Sequence, residues 1–249
     1  MKPLLRRLLL LALLSLAALQ LFFVLRIAAM VWIAPQSTSF ERSNVYQIAS
    51  TKPLAKFGWS QEWVSYTSIS KNLKRAIIAS EDASFTEHDG VDWNAIEKAW
   101  DKNNLAQKQA QRNKPKSGKA TPAKAVKTVG GSTITQQLAK NLFLSGERTY
   151  LRKAQEYVLV VALEAILSKE RIFEIYLNHV EWGEGVFGAE AAAQHYFRKS
   201  AKSLDAYEAS MLAVMLPRPK YFERRFASSD YLRNQASHIQ ARMNSVDIP

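Results

Sequence analysis

The chain has 249 residues, 47% hydrophobic and 10% aromatic, which suits one medium domain plus an extra segment and excludes a chain disordered throughout. It has no cysteine, which excludes disulfides, thiolate metal sites and thiol catalysis. A formal charge of +12 points to a polyanionic partner, which could be nucleic acid, membrane phosphate or a pyrophosphate.

At the N-terminus, Lys2, Arg6 and Arg7 precede Leu8 to Leu25, eighteen residues interrupted only by Ser15 and Gln20. As a helix rising about 1.5 Å per residue, that run is long enough to cross a bilayer. After Arg26 the apolar sequence resumes as Ile27 to Ala34 and stops at Pro35. A cleaved signal has a core of roughly 7–15 apolar residues, so the pattern reads as an uncleaved anchor. The basic cluster before the span keeps the N-terminus in the cytoplasm. Residues 1–7 are thus expected to be a cytoplasmic basic end, 8–34 a transmembrane anchor and 35–249 one exported domain. A cleaved export signal puts the domain on the same side.

Phe57 to Ser70 is rich in aromatic and hydroxyl residues and has room for a short strand. Most of the chain beyond Ser70 reads as helix. In LKRAIIASEDASFTEHDG, helical spacing joins Leu73, Ile77, Glu81, Phe85 and His88, so a helix from Leu73 to about His88 carries Glu81 in its apolar stripe. Burial raises a carboxyl pKa, the condition that suits Glu to proton transfer near neutral pH. An exposed, frayed helix end is the alternative for Glu81. Asp82 lies one position round, at the edge of the same face.

A short helix over Trp93–Trp100 precedes residues 102–128, which hold eight Lys or Arg and no Asp or Glu and include Pro115, Gly118 and Pro122. This composition predicts a flexible basic loop. On an exported chain without a stacking-aromatic pattern, such a loop suits lipid head groups or pyrophosphate better than nucleic acid. A neutral insertion is the alternative.

In GGSTITQQLAKNLF, Ile134, Leu138 and Leu142 form one stripe of a helix over Thr133–Phe143, with Ser132, Gln136, Gln137 and Lys140 opposite. Gly130 and Gly131 allow close backbone approach, and the helix start offers N–H groups to an anion. No Gly-Lys-Ser/Thr string makes this a nucleotide P-loop. In the next helix, Thr149–Ser168, Arg152 and Lys153 precede Glu156 by four and three residues. Cations there keep the carboxylate ionised, and a plain surface ion-pair cluster is the alternative. From Tyr157 to Leu167 that helix is apolar on almost every side and reads as a core helix. Further helices are predicted over Lys169–Asn178, Gly188–Phe197 and Leu204–Leu216, the last stopped by Pro217 and Pro219. The four histidines lack metal-ligand spacing. Ser68–Lys71 matches Ser-x-x-Lys, but the partner motifs of a penicillin-binding transpeptidase are missing downstream.

Taken in order, Glu-Asp-x-x-Phe-x-x-His-x-Gly (81–90), GGSTITQQLAKNLF (130–143), RKAQE (152–156), SKERIFEIYLN (168–178) and GVFGAEAAAQHYF (185–197) resemble the peptidoglycan glycosyltransferases of family 51. The likeness is to their monofunctional, membrane-anchored members and covers roughly residues 60–220. The resemblance implies a mainly α, lysozyme-like, two-lobed domain whose small lobe lies near the membrane. It implies polymerisation of lipid II, a disaccharide-pentapeptide on undecaprenyl pyrophosphate, into β-1,4-linked strands with inversion at C1 and release of undecaprenyl pyrophosphate. It also implies roles. Glu81 is the base, and Glu156 orients the site or stabilises the transition state. Lys140, Arg148 and Lys153 hold donor phosphates, with Arg152 beside them, and Ser132 and Gln137 contact sugar or phosphate. A divalent cation, Mg2+ or Mn2+, is a candidate to bridge the pyrophosphate near Asp82, and no organic cofactor is expected. Expected partners are lipid II, the lipid-linked strand, membrane lipids and other cell-wall synthesis and division proteins, at the inner membrane with the catalytic domain in the periplasm. The chain ends about thirty residues after Pro219, so no transpeptidase domain is expected. A lysozyme-like hydrolase and a non-catalytic cell-wall scaffold are the competing readings; the hydrolase needs no pyrophosphate site.

Overall fold

The computed structural model describes residues 2–51, 58–112, 131–144, 146–147 and 149–249. The first helix, α1 (Lys2–Ala29), contains the 27-residue apolar segment Pro3–Ala29, long and apolar enough to cross a membrane. Its leucines stand exposed as far as Leu25, whereas Phe23 packs on the body and Ile27 and, just past the helix, Met30 are buried in its core. The helix ends at Ala29, not at Ala34 where the apolar run ends, and gives way to a turn in which Met30 is buried and Trp32 exposed.

Next along the chain is helix α2 (Ser39–Thr51), which apolar periodicity does not signal. Thr38 and Glu41 cap its start reciprocally: Thr38 N donates to Glu41 Oε2 at 2.6 Å and Glu41 N to Thr38 Oγ1 at 3.0 Å. The other oxygen of Glu41 meets His179 Nδ1 at 2.7 Å, and His179 Nε2 lies 3.1 Å from the Pro35 carbonyl. This buried cluster fastens the segment after the anchor to the core.

The expected short strand is β1 (Ser60–Gln61). With β2 (Glu181–Gly183) and β3 (Val186–Phe187) it forms a small sheet in the order β1-β3-β2, β1 parallel and β2 antiparallel to β3. Gly185 turns between β2 and β3 at φ +77°, and a Cβ there would stand 2.1 Å from the Gly58 carbonyl oxygen, so only glycine lets the two chains approach.

The rest is helical: α3 (Lys71–Glu81), α4 (Trp93–Arg112), α5 (Ile134–Phe143), α6 (Tyr150–Ile166), α7 (Lys169–His179), α8 (Ala189–Phe197), α9 (Ala206–Met215), α10 (Pro219–Glu223) and α11 (Asp230–Arg242). Helix α9, buried from Ala209 to Met215, packs against α3 and α11, while α5 packs against α2, α6 and α7. Trp182, Tyr176, Phe85 and Phe173 are the largest side chains in the apolar core that joins these groups, and Phe187 is also fully buried. Capping residues set the helix starts: Ser70 for α3, Thr133 for α5, Thr149 for α6, Ser168 for α7 and Asp205 for α9.

Two expectations need correction. The basic stretch 102–128 is not a loop from its start, because α4 continues to Arg112; residues 113–128 lie outside the described residues. Its Lys- and Gln-rich first half is a good helix former, which the charge count conceals. The helix expected to run from Leu73 to about His88 ends at Glu81.

Candidate active site

Helix α3 stops because Asp82 leaves helical geometry, at φ −163° and ψ 76°. Its carboxylate then serves two elements at once. Oδ1 meets His88 Nε2 at 2.9 Å, and Oδ2 accepts the backbone N–H of Ile134, the first residue of α5, at 3.0 Å. Gly90 N donates to His88 Nδ1 at 3.1 Å, so the imidazole must donate to Asp82 from Nε2. The turn 82–90 thus folds back on itself. Phe85 enters the core by this turn and not along a helical stripe continuous with Glu81.

Gly90 closes the turn at φ +83°, where a Cβ would meet Val160 Cγ1 at 2.5 Å and Glu164 Cγ at 2.8 Å. Its carbonyl accepts from Thr133 Oγ1 at 2.6 Å, fixing the end of the turn to the start of α5. Thr133 and Gln136 form a capping box there. Two groups expected to face a ligand are therefore consumed internally: Gln136 caps the helix, and the anion at the α5 N-terminus is the Asp82 carboxylate.

These contacts leave Glu81, the last residue of α3, at the wall of an open cleft of about 560 Å³, with Ser132 exposed at its rim. Gln137 Nε2 donates to Glu81 Oε2 at 2.9 Å, and Tyr176 OH from α7 donates to Gln137 Oε1 at 3.1 Å. Tyr176 is buried, so the relay Tyr176–Gln137–Glu81 fixes the carboxyl from the core outward. Burial raises the Glu81 pKa; the Gln137 hydrogen bond opposes this, the Asp82 charge adds to it and Lys140 opposes it.

Lys140 stands one helical turn beyond Gln137. Its pKa is lowered, first by desolvation and then by Arg152 and Lys153, with Glu156 and Glu81 acting against them. Glu156 is 3% exposed, so its trio is not a surface cluster. Arg152 Nη1 holds Glu156 Oε2 at 2.8 Å and Lys153 Nζ holds Oε1. The Lys153 side chain is half exposed and faces outward, whereas Arg152 is mostly covered.

Of the sequence-predicted site residues, the structure brings Glu81, Asp82, Gln137, Lys140, Arg152, Lys153 and Glu156 into one neighbourhood, with Ser132 at the rim. Arg148 lies outside the described residues. Sequence reasoning misses Tyr176: in SKERIFEIYLN it is one aromatic among several apolar residues, and only its partner reveals its role. Lys98 of α4 and Arg242 of α11 also line the cleft, brought there by long-range packing that no local pattern encodes. Glu164 pairs with Lys169 at 2.9 Å and accepts from Thr135 Oγ1 at 2.6 Å, both contacts within the fold.

Asp82, expected beside a divalent cation, has Oδ1 on His88 Nε2 and Oδ2 on the Ile134 N–H, and among the described residues no group of three or more His, Cys, Asp or Glu is placed to hold a metal by itself.

A family model described as Transglycosylase matches residues 50–244. A protein named biosynthetic peptidoglycan transglycosylase from Janthinobacterium sp. (strain Marseille) is 50% identical over 231 residues, covering 93% of this chain and 91% of the relative. Proteins of the same name from Bordetella avium (strain 197N) and Herminiimonas arsenicoxydans are each 48% identical, covering 94% and 100% of this chain and 92% and 99% of theirs. The chain belongs to this transglycosylase family.

Proposed function

We propose that the protein polymerises lipid II by inverting glycosyl transfer, with Glu81 as general base. The observation that carries this reading is a carboxyl held by Gln137, with Lys140 one helical turn beyond Gln137 and interacting both with Glu81 and with the Arg152–Lys153–Glu156 cluster of α6. A hydrolase needs the first feature but has no use for the second.

In the transfer step, the 4-hydroxyl oxygen of the acceptor GlcNAc attacks C1 of the donor MurNAc from the face opposite the leaving group, and its proton passes to a Glu81 carboxylate oxygen. The bond between C1 and the pyrophosphate oxygen breaks, and its electron pair leaves with undecaprenyl pyrophosphate. Lys140, Arg152 and Lys153 face the charge that develops there, and Glu156 holds the last two in place. Asp82 and His88 act by positioning the turn that presents Glu81. A divalent cation, Mg2+ or Mn2+, would be held at Asp82 together with the substrate and would supply neutralisation of the charge on the leaving group.

Lys2, Arg6 and Arg7 support an inner-membrane anchor with a cytoplasmic N-terminus and a periplasmic domain. The partners are then lipid II, the lipid-linked strand and membrane lipids, with cell-wall synthesis and division proteins as candidate neighbours. The test is incubation of the full chain with lipid II and, separately, with preformed glycan. A lengthening glycan series from lipid II supports the proposal; shortening of preformed glycan, or no reaction with either, contradicts it.

A further inference from the structure

The body-facing stripe of α1 runs Gln20, Phe23 and Ile27, at helical spacing, with buried Met30 just beyond the helix end, and begins at a polar residue. Residues 3–19 are exposed all round. Gln20 Nε2 donates to Gln155 Oε1 at 2.9 Å and Gln155 Nε2 returns the bond to Gln20 Oε1 at 3.0 Å. Phe23 meets Phe143 edge-on at 5.4 Å, and Arg26 lies over the same ring at 5.2 Å.

A hydrocarbon core about 30 Å thick takes about 20 helical residues. The apolar segment from Pro3 to Gln20 has eighteen residues, about 27 Å of helix, close to that thickness. Lys153, two residues before Gln155 on α6, is half exposed, and a charged side chain belongs at the head groups rather than in hydrocarbon, so the amide pair lies at the outer boundary. An unpaired amide beside hydrocarbon is costly, and here each amide satisfies the other. Gln155 immediately precedes Glu156 and lies three residues after Arg152 on the same helix.

We propose that the Gln20–Gln155 amide pair is a positioning lock between anchor and body at the outer boundary of the membrane. It fixes the depth and rotation of the anchor on α6 and so holds Arg152, Lys153 and Glu156 at the height of the substrate's pyrophosphate. This inference rests on the lipid II reading for its consequence, but not for its geometry. Phe23, Ile27 and Met30 supply affinity between anchor and body, but apolar contacts let a helix slide by small steps. Two reciprocal hydrogen bonds permit one register.

Geometry and consequence are tested separately. Because the native chain has no cysteine, Gln20→Cys with Gln155→Cys can be joined by a short thiol cross-linker in native membranes. Linked peptides within one copy are expected; linkage between copies only, as when Gln20 pairs anchors of two chains, overturns the proposal whether or not lipid II is the substrate. For the consequence, Gln20→Leu and the double variant Gln20→Leu/Gln155→Leu are assayed with lipid II in vesicles of two acyl-chain lengths. The double variant keeps apolar packing and leaves no orphan amide, so it guards against misfolding. Both are expected to raise KM about five- to tenfold in vesicles with kcat nearly unchanged, and to match wild type in detergent micelles, where depth is undefined. A wild-type KM for the double variant in both vesicles, or an equal loss in micelles, overturns the lock. Failure of the wild type to polymerise lipid II defeats the functional reading alone, and the cross-link still decides the geometry.

Discussion

Glu81 is held between opposing influences: burial and the neighbouring Asp82 charge favour its protonated form, while Gln137 and Lys140 favour the carboxylate. A base must be ionised to work, so activity should fall on the acid side at a higher pH than an ordinary glutamate would give, about 4.3. Replacing Gln137 by Leu removes a contact that lowers the Glu81 pKa. The acid limb of the kcat/KM profile should then move to higher pH, with at most about a tenfold loss at its plateau. An unmoved limb would separate Gln137 from the base. Tyr176 explains why this relay is only half legible in the sequence: Gln137 stands out on a polar helix face, whereas Tyr176 looks like core until its hydroxyl is seen to reach Gln137.

At the scale of elements, the turn 82–90 and the start of α5 behave as one unit, joined by Asp82–Ile134 and Thr133–Gly90 bonds. Gly90→Ala adds a methyl group against Val160 in a backbone region unfavourable to alanine, and should destabilise the fold by about 1–3 kcal/mol in denaturant unfolding. On α6 the two cations should separate. Arg152, mostly covered, is part of a buried ion pair, so Arg152→Ala should lower the melting temperature. Lys153, half exposed, should cost little stability when changed to Ala yet lower kcat/KM about a hundredfold. Equal thermal losses would mean both are structural. Helices with strong apolar spacing or caps are legible in sequence to within a few residues. The end of α3 is not, because Asp82 leaves the helix for tertiary partners at positions 88 and 134. Helix α2 carries its signal in the Thr38–Glu41 capping box, a cue independent of apolar periodicity.

For the whole molecule, the core that buries Ile27 and Met30 makes the end of the anchor part of the catalytic body. The cationic cluster of α6 is thereby carried on the helix that touches the anchor, so the residues proposed to meet a lipid-borne pyrophosphate stand beside the anchor. In the sequence an anchor and a cationic site stand as separate features; their contact depends on Gln20 meeting a residue 135 positions away, which no local pattern reports. The most direct test of Glu81 as the base is one comparison of the full chain with its Glu81→Gln variant, measuring lipid II polymerisation and thermal unfolding together. The folded-state pKa of Glu81 is raised, so its ionised form costs stability above that pKa, and the cost fades as pH falls towards the unfolded value. The variant should therefore lose polymerisation by a factor of at least about a hundred while melting no lower than wild type at neutral pH. Polymerisation at the wild-type rate by a folded Glu81→Gln protein would contradict the assignment.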